Sequence, residues 1–165
     1  MNILTRIDKV LTKAEEIVLI ALLSVMVVMA FLQVVLRNLF SSGIFWADIL
    51  LRHLLLWLGF LGAALATSEN RHINIDALRR FLNPAIRSAV EVLTNIFATI
   101  ICAMLAKASW TFVLGEIADH RTIFENIPSW YAQIIIPVGF GLLAVHFLIR
   151  AVLRASGVEP KGERI

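Results

Sequence analysis

The sequence predicts an all-α integral membrane protein with four transmembrane helices, both termini on the cytoplasmic side (N-in/C-in), and short interfacial amphipathic helices on that side. Hydrophobic residues make up 59% of the 165 residues and charged residues only 16%. The mean hydropathy of +0.84 is too high for a soluble domain. Four runs approach the roughly 20 apolar residues that a membrane crossing needs. We therefore expect residues 1–165 to form a single transmembrane domain, with spans at about 17–36, 49–67, 88–114 and 129–149.

The basic residues are concentrated in alternate segments of the chain. The segment before the first span, the loop between spans two and three, and the tail are rich in arginine and lysine, whereas the first and third loops hold mainly Arg37 and Arg121. By the positive-inside rule, both termini and the second loop face the cytoplasm. Because this placement accounts for the net charge of +3, no nucleic-acid partner is predicted.

The first span has a long polar flank that includes Asp8, Glu15 and Glu16. This flank is unlike that of a cleaved signal peptide, so we expect the span to be retained. Apolar residues recur at helical spacing over residues 2–14. Two interpretations fit that pattern: a separate helix lying at the cytoplasmic headgroups, and a plain extension of the first span.

Span two carries Arg52 and His53 within an otherwise apolar run. Its helical wheel has two faces: one stripe holds Asp48, Arg52, Gly59, Ala63 and Ala66, and the other holds Trp46, His53, Trp57 and Phe60. The four-residue spacing of Asp48 and Arg52 lets their side chains pair. The small residues below them form a smooth groove suited to a closely packed helix.

Two interpretations of Arg52 remain open. It is either an interfacial residue that is paired locally, or a binder of a lipid phosphate or of an acidic residue on another chain. Because intramembrane charges are costly and normally face protein or water, the second interpretation is favoured. His53 is expected to be an ordinary hydrogen-bonded histidine at the interface.

The second loop predicts a short interfacial helix at about residues 74–82, where apolar side chains cluster on one side of the wheel. The polar residues expected at this cytoplasmic surface are His72, Asp76, Arg79 and Arg80. Asn83 and Pro84 are a typical cap and first-turn pair, so span three begins there.

Span three contains Glu91 and Lys107, which are 16 residues apart, or about 24 Å along a helix. We expect them near opposite membrane surfaces, with Lys107 reaching outward to solvent. A stripe of small and weakly polar residues is expected to pack against another helix: Glu91, Asn95, Ala98, Cys102 and Ser109. In span four, Pro137 is expected to kink the helix.

Several functional classes are excluded by what the spans lack. Haem would need two axial ligands at one depth, but His53 and His146 are predicted near opposite ends of their spans. A stand-alone carrier usually shows internal repeats, broken helices and buried ionisable groups near the midplane, and this combination is lacking here. A small multidrug exporter needs a carboxylate inside its first span, which this sequence also lacks. No catalytic constellation is visible. The sequence therefore predicts neither an enzyme nor a bound cofactor. It predicts a protein that supports another protein.

A family resemblance is carried by residues 45–76, which read FWADILLRHLLLWLGFLGAALATSENRHINID. This segment resembles the signature region of the small membrane subunit (the DctQ-like, or Q, subunit) of tripartite ATP-independent periplasmic (TRAP) transporters. The matching residues, in the family's order, are Trp46, Asp48, Arg52, Trp57, Phe60, Leu61, Gly62, Ala63, Ala64, His72, Ile75 and Asp76. One position departs from the pattern, because Ile49 follows Asp48 where the family has a second acid.

The resemblance implies an auxiliary, scaffold-like subunit in a bacterial inner membrane. Its partners would be a large elevator-type membrane subunit that carries the substrate and sodium sites, and a periplasmic substrate-binding protein that delivers an organic acid. Separately from the resemblance, Arg52 leads us to expect phospholipids at the subunit boundary. The predicted boundary residues are those of span two, and no substrate or metal ligand is expected in this chain. The alternative is a membrane anchor or accessory subunit of an oxidoreductase.

Overall fold

A computed structural model describes residues 3–41, 43–68, 84–124 and 127–156 of the chain. In these residues the helices and strands are α1 (Ile3–Phe40), α2 (Ala47–Ser68), α3 (Pro84–Ala118), β1 (Thr122–Phe124), β2 (Ile127–Pro128), α4 (Trp130–Gln133) and α5 (Ile135–Ala155). Four segments are helical, long and apolar enough to cross a membrane. The predicted all-α membrane fold with four spans is therefore confirmed.

Helix α5 is the centre of the described structure. Helices α2 and α3 both pack against it, and α1 packs mainly on α2. The start of α1 and the end of α5 lie at one end of the bundle, which we call the termini end. The loops that join α1 to α2 and α3 to α4 form the other end, called the hairpin end because β1 and β2 pair there as an antiparallel hairpin.

Helix α1 is unbroken over 38 residues, or about 57 Å, which exceeds a hydrocarbon core of about 30 Å. Of the two interpretations of the N-terminal segment, the structure has the continuous extension of the first span. The predicted interfacial helix at residues 74–82, with His72, Asp76, Arg79 and Arg80, lies outside the described residues.

Helices α2 and α5 are in close contact at Gly139. A Cβ atom on this glycine would lie only 2.5–2.7 Å from atoms of the Phe60 side chain. Glycine is therefore required, because only a residue without a side chain lets the phenyl ring sit this close to the α5 backbone. Phe60 also meets Phe140 edge to face, with ring centroids 5.1 Å apart, a favourable aromatic geometry.

The fourth span is interrupted at Ile134, between α4 and α5. Pro137 follows three residues later and has no N–H to donate to the carbonyl of Gln133. At the same interruption, Trp57 Nε1 on α2 donates to the carbonyl oxygen of Ala132 at 2.9 Å. The helix break that Pro137 predicts is thus present, and it is stabilised by a neighbouring helix.

Helix α3 packs on α5 through the stripe that the sequence predicts. Cys102 and Val113 are buried there, and Glu91 at the termini end forms an ion pair with Arg154 of α5, with 2.6 Å between Oε2 and Nε. The opposite side of α3 is exposed and apolar. Among the described residues, helix α3 therefore packs mainly on α5 and leaves one face open.

Candidate docking site

Arg52 projects from α2 without a partner in the part of the chain that the structure describes. The pair with Asp48 that the spacing allows does not form. Asp48 Oδ1 instead accepts from Gln33 Nε2 of α1 at 3.4 Å. Gln33 also bonds both backbone groups of Ile44 at 3.1 Å. The carboxylate thus belongs to the α1–α2 loop, and the guanidinium is left available to another molecule.

Below Arg52 an open apolar groove of about 560 Å³ runs between α2 and α5. Its lining comprises Arg52, Leu55, Leu56, Gly59, Phe60, Ala63, Phe140 and Leu143. A Cβ atom on Gly59 would meet nothing within 4 Å, so no helix of the described chain packs there. The described residues thus leave open a groove that Gly59 and Ala63 of the predicted stripe line, whereas Ala66 is not part of the lining.

The other predicted boundary residues divide between surface and interior. Trp46 precedes α2 and is 40% exposed, and Ala66 is half-buried near the other end of α2. Trp57 is half-buried and uses its indole N–H inside the chain. His53 Nδ1 donates to the carbonyl oxygen of Ile49 at 2.7 Å, in line with an ordinary hydrogen-bonded histidine.

The block that resembles the family signature has two sides. Leu61 and Ala64 are buried, and a Cβ atom on Gly62 would make an ordinary 3.7 Å contact with Leu19 of α1. Gly59 and Ala63 face the open groove. One side of this short block thus builds the helix core, and the other is presented outward.

An ionic cluster at the termini end was missed by the sequence prediction. His146 of α5 is 1% exposed; its Nδ1 lies 3.1 Å from Asp8 Oδ1 and its Nε2 lies 3.0 Å from Glu15 Oε1. Both ring nitrogens need a proton to donate to ionised carboxylates, so the arrangement requires the imidazolium form. Since both nitrogens are engaged, His146 serves to fasten α1 to α5.

A second buried carboxylate, Glu116 of α3, was also missed, and it organises the hairpin end. Its Oε2 accepts from Ser129 Oγ at 2.6 Å and from Gln133 Nε2 at 3.3 Å. Arg121 Nη1 lies 3.4 Å from Oε1 of the same side chain. Glu116 therefore ties the end of α3 to α4 across the hairpin.

The chemistry available to the described residues is consequently that of packing and docking. Their buried polar residues, Glu15, Thr67, Glu116, Ser129 and His146, all bond within the chain. No group of three or more histidine, cysteine or acidic side chains in the described ranges can hold a metal ion. The groove with Arg52 at its edge is the candidate site.

The chain is similar to known transporter components. Residues 26–157 match the family model described as tripartite ATP-independent periplasmic transporters, DctQ component. A putative TRAP transporter small permease protein of Haemophilus influenzae is 38% identical over 100 residues, which are 61% of this chain and 62% of that protein. The chain thus matches less than two thirds of this relative's length.

Two further relatives are more distant but align over more of the chain. The C4-dicarboxylate TRAP transporter small permease protein DctQ of Pseudomonas aeruginosa is 25% identical, covering 84% of this chain and 81% of the relative. The ectoine TRAP transporter small permease protein TeaB of Halomonas elongata is 24% identical, covering 92% and 79%. The similarity therefore extends over nearly all of the described helices.

Proposed function

Since residues 26–157 match its model, this chain belongs to the DctQ component family of tripartite ATP-independent periplasmic transporters, and we propose that it is the scaffold on which a large membrane subunit moves. A component of this family is part of a transporter and not an enzyme. With four membrane-capable helices and bacterial relatives, it is a multi-pass protein of the bacterial inner membrane. The family match does not favour an anchor for an oxidoreductase.

One observation carries the scaffold proposal: polar contacts tie the helices together at both ends of the bundle, while the groove in between is left open. At the termini end His146 fastens α1 to α5, and Arg154 fastens α5 to α3. At the hairpin end Glu116 fastens α3 to α4. A protein that is held at both ends and presents an open apolar surface is suited to support a moving partner.

The assembly that we propose has a large elevator-type subunit carrying the substrate and sodium sites, and a periplasmic binding protein that delivers the solute. The distribution of basic residues supports a cytoplasmic location for the termini end. We place organic acids first among the solutes, because a relative is named for C4-dicarboxylate. Because another relative is named for ectoine, we attribute the choice of solute to the partner subunits.

The α2–α5 groove is the surface that we propose for the boundary with the large subunit. An intramembrane arginine is costly unless it meets an opposite charge or water. Arg52 would therefore hold an anionic group at the mouth of the groove, either a lipid phosphate or a carboxylate of the large subunit. The apolar lining below it fits an acyl chain or an apolar side chain.

Co-purification tests this boundary. Arg52→Ala should reduce the amount of large subunit recovered with the tagged chain, and Gly59→Leu should do the same by filling the groove, where the chain itself offers no steric resistance. Gly141→Ala, in open space on α5, is the matched control. Phosphate analysis of the purified complexes distinguishes the two anions. Bound phosphate should be lost in the Arg52→Ala variant only if the anion is a lipid. Unchanged recovery of the large subunit with both variants would refute the proposed boundary.

The scaffold role itself is tested on the large subunit. Vesicles that contain the large subunit, with or without this chain, are supplied with the cognate binding protein carrying the solute with which it purifies. We expect uptake only when this chain is present. Equal uptake without it would show that the large subunit needs no scaffold.

A further inference from the structure

The exposed side of α3 carries a lysine that no described residue neutralises. Lys107 makes no ion pair and no side-chain hydrogen bond within the part of the chain that the structure describes, and it is exposed. It lies opposite the stripe through which α3 packs on α5, because Cys102 and Val113 fall on the other side of the helical wheel. Its surroundings are thus set by whatever covers this face.

Most neighbours of Lys107 on this side of α3 are apolar; the exception is Thr111, whose hydroxyl donates to the backbone carbonyl of Lys107 at 3.2 Å. We call the surface the Lys107 face; it consists of Leu93, Ile96, Ile100, Met104, Lys107 and Leu114, spaced three, four or seven residues apart. The five apolar members are all at least 43% exposed. This spacing makes a continuous stripe along the helix. A single cation therefore lies within an apolar face.

Helix α3 extends further beyond Lys107 than the predicted span, which ended at about residue 114. Helix α3 continues to Ala118, which is 11 residues, or about 16 Å, beyond Lys107. The intervening turns include Phe112 and Leu114, which are about half exposed and suited to hydrocarbon. Lys107 thus lies within the membrane-capable stretch Ser88–Ala118, with further turns of α3 on both sides of it.

We propose that the Lys107 face is a second docking surface, on which a transmembrane helix of the large subunit places a carboxylate against the Lys107 ammonium group. The proposal rests on the scaffold function above. Charge complementarity identifies the occupant, since a lysine within a membrane-capable helix is stabilised when it is paired with an acid. The apolar residues on both sides of Lys107 provide the packing surface for that helix. Together with the α2–α5 groove, this face gives the large subunit two separate attachments.

Photo-crosslinking in membranes that contain the large subunit tests the proposal. A photoreactive amino acid replaces Ile100 or Met104 on the proposed face, which leaves Lys107 in place, or Phe112 on another exposed side of α3 as the matched control. We expect adducts with the large subunit from the first two positions. The control position should give lipid adducts only. Lipid adducts alone from positions 100 and 104, in a complex that still co-purifies, would overturn the inference.

Charge variants give a second measure that does not depend on the crosslinker. Lys107→Gln and Lys107→Glu should lower the recovery of large subunit with the tagged chain, with the glutamate variant lower, whereas Lys107→Arg should retain it. Replacing an acid on the crosslinked partner helix by lysine should restore binding to Lys107→Glu. Equal recovery with all three variants would refute the pairing. If the unmodified chain itself recovers no large subunit, the scaffold proposal fails instead.

Discussion

Replacing Gly139 by alanine tests the packing of α2 on α5, the contact at the centre of the fold. The new Cβ atom would lie 2.5 Å from Phe60 Cδ1 and 2.7 Å from its Cβ and Cγ. Ordinary contacts between carbon atoms are about 3.5–4.0 Å, so the ring or the helix must move by about 1 Å. Overpacking of this kind typically costs about 1–3 kcal/mol.

The matched control is Gly141→Ala in the same helix, where a Cβ atom would meet nothing within 4 Å. Both variants replace a helical glycine by alanine, which favours the helix by about 1 kcal/mol, and this contribution cancels in their difference. We therefore expect Gly139→Ala to have a free energy of unfolding about 1–3 kcal/mol below that of Gly141→Ala.

The assay is reversible unfolding in mixed detergent micelles, followed by circular dichroism. Each of the two alanine variants is also combined with Phe60→Ala in a double-mutant cycle. Removing the ring should abolish the difference in stability between them. Equal stability of Gly139→Ala and Gly141→Ala in the presence of the ring would refute the reasoning and the close helix approach on which it depends.

Two further predictions concern the hydrogen bonds and ion pairs that join the helices. Trp57→Phe should lower the free energy of unfolding by about 1–3 kcal/mol, because the carbonyl of Ala132 loses its donor in an apolar setting. Trp110→Phe, on the exposed surface of α3, should change it little, and equal effects in the same unfolding assay would contradict the assignment. His146→Phe should cost about 3–5 kcal/mol, since it leaves two carboxylates without their buried cation. Lys13→Ala breaks an exposed pair and serves as its control; a similarly small effect of both would show that the buried cluster does not fasten α1.

The sequence allowed the four spans to be predicted because membrane crossing depends on local apolar content, which can be counted along the chain. The helical wheel likewise located the side of α3 that packs and the groove side of α2. Both are properties of single helices, so the spacing of residues such as Gly59 and Ala63 suffices. Neighbouring helices contribute nothing to such a count.

Contacts between helices could not be predicted in the same way. His146 meets Glu15 from 131 residues away, and no local pattern marks that pair. Asp48 and Arg52 have the right spacing to pair, yet Gln33 of another helix takes the carboxylate. Helices α2 and α5 are in close contact at Gly139, where a ring of α2 fills the space, whereas Gly59 on the stripe of small residues meets nothing within 4 Å.

The central claim is that this chain supports translocation without performing it. Its most direct test is sodium-driven solute accumulation in proteoliposomes that contain this chain alone, compared with liposomes that also contain the large subunit and the loaded binding protein. We predict no accumulation, and no sodium flux above that of empty liposomes, from the chain alone, but accumulation from the complete assembly. Solute accumulation by the chain alone, driven by a sodium gradient, would contradict the account.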